Sequence, residues 1–141
     1  MQIGVDVARA VDNKRVFVVD NDEVIRAALT FILQDENETH ELPSVAHALA
    51  QGSQRRPDAI VIGVGLLAGN GLDCVTELLT RFPGVKLLIV TPDVKDAVAQ
   101  SAIARGAHAL LTKPFTIESA RRKVDRLLGR SVAVGLPVEI R

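Results

Sequence analysis

In four places along this chain, a polar or side-chain-free residue follows directly on an apolar run. Asp20, Asn21 and Asp22 follow Arg15–Val19. Gly63 closes Ala59–Ile62, Thr91 closes Val85–Val90, and Lys113, with Pro114 behind it, follows Ala109–Leu111 and Thr112. Apolar runs this short, bounded by proline, glycine or acid, predict buried strands. In open α/β sheets, chemistry collects just beyond the carboxyl ends of such strands. The four places are therefore expected to converge on one crevice. What they could do there is limited by what is missing. A covalent step needs a placed nucleophile, and Gly63 has no side chain to supply one. A hard divalent cation needs several oxygen ligands in octahedral array. Only Asp20 is expected to point into the crevice, because Asp22 reads as a helix cap.

Other chemistry-bearing residues carry weaker signals. His40, His47 and His108 are scattered and lack metal-ligand spacing. Cys74 is the single cysteine and falls on the apolar face of a predicted helix. Gly65–Gly71 is rich in glycine but has neither the Lys-Ser/Thr of a phosphate-binding loop nor the spacing of a dinucleotide fingerprint. Asp58 lies at the wrong end of its predicted strand, and Asp73 lies within the helix that follows.

The elements that must position the four places can be read in order. The first strand, Arg15–Asp20, is β-branched and leads through a capping Asp22 into a helix with Val24, Ile25, Ala28, Leu29, Ile32 and Leu33 at helical spacing. Thr39–Leu42 is a weak second strand. Ser44 caps a short helix with Val45, Ala48 and Leu49, expected to stop near Gly52. The third strand ends at Gly63, and a loop over Gly65–Gly71 leads to a helix with Leu72, Val75, Leu78 and Leu79, closed by Pro83-Gly84. Val85–Thr91 is a fourth strand, followed by a helix from about Val94 to Arg105. Ala109–Leu111 is a short fifth strand. The last helix has Ile117, Ala120, Val124, Leu127 and Leu128 on one face and Arg121, Arg122, Lys123 and Arg126 on the other. Five strands alternating with five helices predict a parallel sheet covered on both faces, with right-handed crossovers restricting its topology. The expected organisation is an extension over 1–13, the domain over 14–129 and a tail over 130–141. No output domain is expected, because little chain follows.

Composition narrows the function classes. With 141 residues and 48% hydrophobic content, the chain suits one domain with a sizeable core. Lys plus Arg and Asp plus Glu are 17 each. A formal charge of zero argues against nucleic-acid binding through a bulk basic surface. Trp and Tyr are absent, which leaves four phenylalanines for any stacking recognition. Without a signal-like start, a membrane-length apolar run (~18 residues) or a second cysteine, the expectation is a cytoplasmic protein without a membrane partner.

Taken together, Val18-Val19-Asp20, Pro57-Asp58 through Gly71, Val90-Thr91, Gly106-Ala107 and Leu111-Thr112-Lys113-Pro114-Phe115 resemble the receiver domain of two-component response regulators, over about Lys14 to Gly129. The resemblance implies an acceptor aspartate ending strand three, a pair of acids holding Mg²⁺ after strand one, a Thr/Ser and a Lys contacting phosphoryl oxygens, and an aromatic switch in strand five. Gly63 matches the acceptor, Asp20 and Asn21 the acidic pair, Leu110 the aromatic, while Thr91 and Lys113 match themselves. The resemblance also implies the fold, a single flavodoxin-like (βα)5 α/β domain with a doubly wound parallel sheet of strand order 2-1-3-4-5, and an atypical pseudo-receiver is therefore expected. It would not be an enzyme, would have no catalytic residue and no cofactor, and would bind Mg²⁺ weakly or not at all. Lys113 is expected to act as counterion to Asp20, and Lys113-Pro114 to be a candidate cis bond. The implied role is signalling in a phosphorelay by phosphorylation-independent protein contact. The implied partners are a histidine kinase or another response regulator, with the first helix as docking element, to which Ala28, Leu29 and Ile32 would contribute if partly exposed. A homodimer through the fourth and fifth helices is a further candidate. The alternatives are a receiver phosphorylated on an unforeseen acceptor and a flavodoxin-like cofactor-binding protein.

Overall fold

The computed structural model describes residues 13–130. The expectations for the extension and the tail fall outside the described residues, save at Asn13 and Arg130. Five strands, β1 (Lys14–Val19), β2 (Asn37–Leu42), β3 (Ala59–Gly63), β4 (Lys86–Thr91) and β5 (Ala109–Thr112), form one sheet. Its order is β2-β1-β3-β4-β5 and all pairs are parallel, as expected. The helices are α1 (Glu23–Leu33), α2 (Val45–Gln54), α3 (Val64–Asn70), α4 (Asp73–Arg81), α5 (Ala97–Ala104) and α6 (Ile117–Leu127).

The period of two along β1, β3, β4 and β5 divides the core. Phe17, Val19, Ile60, Ile62, Leu87 and Ile89 face α2, α3, α4 and α5. Val16, Val18, Val61, Leu88, Val90 and Leu111 face α1 and α6. Both faces are covered, which is why these strands read as unbroken apolar runs. β2 is an edge strand and reads differently. Its Glu38 accepts from Arg15 Nε at 2.8 Å and contacts His40 Nε2 at 2.8 Å. These partners, Arg15 first, hold the Glu38 carboxyl down at about 2. That contribution to stability is complete above the usual 4.5 and is lost as pH falls through about 2. A charged edge also discourages pairing with other chains.

Four local expectations are corrected. The Gly65–Gly71 loop is largely the helix α3, because Leu66 and Leu67 are buried and hold the segment against the sheet. α2 does not stop at Gly52 but runs to Gln54. Gly52 is buried, and a β-carbon there would lie 2.6 Å from Phe82 Cε1, so it serves close packing rather than termination. β2 starts at Asn37, two residues earlier than expected. α5 starts at Ala97, where Asp96 accepts from the Val98 and Ala99 N–H groups at 2.9 and 3.0 Å.

Cys74 is a buried face residue of α4, as expected, and burial pushes its thiol up. His108 has a backbone task. Its N–H donates to Leu87 O at 2.9 Å, and its Nδ1 accepts from Leu87 N–H at 3.0 Å. Accepting requires the neutral ring. Burial of that edge, with Lys86 nearby, pushes its pKa down. The unfolded chain then binds more protons than the folded one below about pH 6.5. Thermal stability should fall as pH drops from 7.5 to 5.5, and His108→Asn should flatten that slope in melts across the range.

Candidate functional site

All four places meet at the carboxyl ends of the strands. The β1–β3 register pairs Val19 with Ile62, which sets Asp20 beside Gly63. The β4–β5 register pairs Thr91 with Thr112, and Lys113 N–H donates to Thr91 O at 2.9 Å.

Asp20 is the buried acid of the site, at 7% exposure. Its N–H donates to Leu42 O at 3.1 Å, its carbonyl accepts from Arg26 Nη1 at 2.7 Å, and its Oδ1 accepts from Asp22 N–H at 2.9 Å. Its carboxylate lies over Gly63. A β-carbon on Gly63 would be 2.8 Å from Asp20 Cγ, inside contact distance. Asp22 caps α1 as expected, accepting from Val24 and Ile25 N–H at 2.9 and 3.2 Å. Asn21 is exposed.

Thr91 is fully buried, and its hydroxyl is engaged by its own loop. It donates to Asp93 O at 3.0 Å and accepts from Asp93 N–H at 3.3 Å. Lys113 is half-buried and precedes a cis peptide bond to Pro114. The expected Lys113–Asp20 ion pair is not among the ion pairs of the described residues. The Asp20 carboxylate instead accepts from Asp22 N–H, while Arg26 bonds the Asp20 backbone carbonyl. Leu110 is half-buried and packs against the core.

The acids nearest Gly63 in sequence, Asp58 and Asp73, lie elsewhere. Asp58 sits at the opposite end of β3, accepting from Arg15 N–H at 2.7 Å. Asp73 is exposed at the start of α4 and pairs with Arg105 at 3.0 Å. Among the described residues, no group of three or more His, Cys, Asp or Glu could hold a metal ion. The donor set does not suit Mg²⁺: Asp20 is one carboxylate, Asp22 caps a helix, and residue 63 offers no side-chain oxygen.

Sequence reasoning missed Arg26, which ties the β1–α1 loop to β2 through Asp20 O and Glu41 (3.3 Å). It also missed that Asp20 fills the space beside Gly63. Glycine next to an acid at adjacent strand ends was the available signal. On the surface, Leu29 and Ile32 are buried and cannot serve as docking residues, while Ala28 is half-buried. Val24 (76%) and Phe31 (67%) are the large exposed apolar residues of α1. On the basic face of α6, Arg121 is committed within the domain, donating to Ile32 O at 3.0 Å and to Asp35 at 3.1 Å. No helix among the described residues is long and apolar enough to cross a membrane.

Comparison with known proteins agrees with this geometry. The family model for the response regulator receiver domain matches residues 16–125. The chain is 37% identical over 122 residues to the DNA-binding transcriptional activator DevR/DosR of Mycobacterium tuberculosis, covering 84% of this chain and 56% of that protein. It is 27% identical to the protein CcdB of Bacillus subtilis, covering 82% of this chain and 98% of that one. Among solved structures, the receiver domain of NtrX from Brucella abortus matches with a TM-score of 0.74 and 29% identity, covering 82% of this chain and 99% of that one. The chain spans about half the length of the transcriptional regulators it matches.

Proposed function

Because this chain belongs to the response regulator receiver domain family, we propose that it is a pseudo-receiver, which signals in a two-component network by protein contact rather than by accepting a phosphoryl group. The observation that carries this reading is Gly63 at the carboxyl end of β3 with the Asp20 carboxylate seated over it. Phosphoryl transfer needs a nucleophile and charge neutralisation in one place. Residue 63 supplies no nucleophile, and a single carboxylate supplies a poor Mg²⁺ site. Thr91 and Lys113 remain as the scaffold of the pocket.

The proposed partners are a histidine kinase or another response regulator, with neither nucleic acid nor membrane. The proposed contact surface is the outer face of α1, where Val24 and Phe31 stand seven residues apart and so share one side of the helix. A self-association surface involving α5 and α6, the fourth and fifth helices of the sequence reading, would have to use Arg122 and Arg126, which are exposed, rather than Arg121.

Two measurements test the reading. Incubation with acetyl phosphate and Mg²⁺, followed by intact-mass measurement, should leave the mass unchanged. A stoichiometric gain of one phosphoryl group would sink the phosphorylation-independent part. Phe31→Asp should leave the melting temperature within about 2 °C, since exposed sites contribute little to stability. It should also abolish capture of the kinase or regulator that the unaltered protein retains in a pull-down. Equal capture by both would remove α1 as the contact surface.

A further inference from the structure

The backbone does not require glycine at position 63. Gly63 has φ −73° and ψ 139°, values that any residue adopts. What a side chain there would meet is the carboxylate of Asp20. A β-carbon at 63 would lie 3.2 Å from Asp20 Oδ1 and 2.8 Å from Cγ, and nearer still to Oδ2. The carboxylate is held there by Asp22 N–H at 2.9 Å. The same residue anchors its backbone to Leu42 O and to Arg26. Asp20 thus joins β2, the tip of β3 and the first turn of α1, which begins beside the exposed Val24.

We infer that Asp20 and Gly63 form a latch. The seated carboxylate takes the place of the side chain that β3 lacks and holds the β1–α1 loop, with the first turn of α1, in a single position. A side chain at residue 63 unseats the carboxylate and frees the loop. This deepens the reading of the site, since it describes how the crevice is coupled to the proposed contact helix. The latch can nevertheless stand or fall independently of the phosphodonor result.

Gly63→Ala tests it with the smallest perturbation, one β-carbon on a permissive backbone. The carboxylate must leave Asp22 N–H, a charge-assisted bond. A loss of that size should lower the melting temperature by about 5 °C in a domain of this length. Amide resonances of residues 20–24 should shift. In an Asp20→Ala background the same substitution should cost less than half as much, because the occupant of the space is gone. Equal losses in the two backgrounds, or unmoved amides over residues 20–24, would overturn the latch. The unaltered protein gives a second check that does not depend on variants folding. The Asp22 amide, bonded to Asp20, should exchange with solvent at least tenfold more slowly than that of exposed Asn21. Equal exchange rates would refute the seat itself.

Discussion

Gly63→Asp, prepared free of metal, is expected to melt about 8–12 °C below the unaltered protein and to regain at least half of that loss in millimolar Mg²⁺. The register places the new carboxylate directly beside that of Asp20, whose present seat overlaps the position of the added β-carbon. Two like charges about 4 Å apart at an effective dielectric near 20 repel by about 4 kcal/mol. Rotation of Asp20 toward solvent relieves part of this, which leaves roughly 2–3 kcal/mol. At about 4 °C per kcal/mol for this chain length, that is the stated shift. A divalent cation relieves the remainder, since two neighbouring carboxylates are the kind of hard oxygen pair it prefers. The unaltered protein should melt at the same temperature with and without Mg²⁺. Thermal melts in EDTA and in Mg²⁺ check both halves. A Gly63→Asp protein as stable as its parent in EDTA would mean that Asp20 is not where it is described.

The second large effect lies far from the crevice, where Gly52 meets Phe82. Phe82 is 1% exposed, at the end of α4, and its ring closes on the missing side chain of Gly52 in α2. Phe82→Ala should cost about 3–5 kcal/mol through lost burial and the cavity it leaves. Gly52→Leu should cost at least about 2 kcal/mol by overpacking against the same ring. Combined, the two should be less harmful than Phe82→Ala alone by at least about 1 kcal/mol, because leucine from α2 extends into the vacated volume. Urea unfolding of the three variants measures this. Losses that simply add would show that the two residues do not share a space.

Much of the fold was legible in the residues because each inner strand is apolar on both faces and some helices open on recognisable capping residues. Asp22 and Ser44, read as caps, do cap α1 and α2 through their side-chain oxygens. Elsewhere the local signal and the packing diverged. Gly65, Gly69 and Gly71 read as a loop, yet two buried leucines outweighed the low helix propensity of glycine. Gly52 read as a stop because a glycine's packing role depends on what lies opposite, here a ring 30 residues away in sequence.

The site divides in the same way. Which residues stand at the strand ends was a local matter: Asp20, Gly63, Thr91 and Lys113 could be located from the runs that precede them, and their resemblance to receivers from their order. How they are used was not local. Pairing of Val19 with Ile62 set Asp20 against Gly63, two positions 43 residues apart. Hydrogen bonding directed Thr91 to Asp93 and Asp20 to the loop after β1, where a Lys113–Asp20 pair had been expected. Residue type determines what a side chain is able to do, and short-range order determines where along a strand it sits. Register and burial alone decide which neighbour it meets, because they are properties of contacts between segments that no single segment encodes.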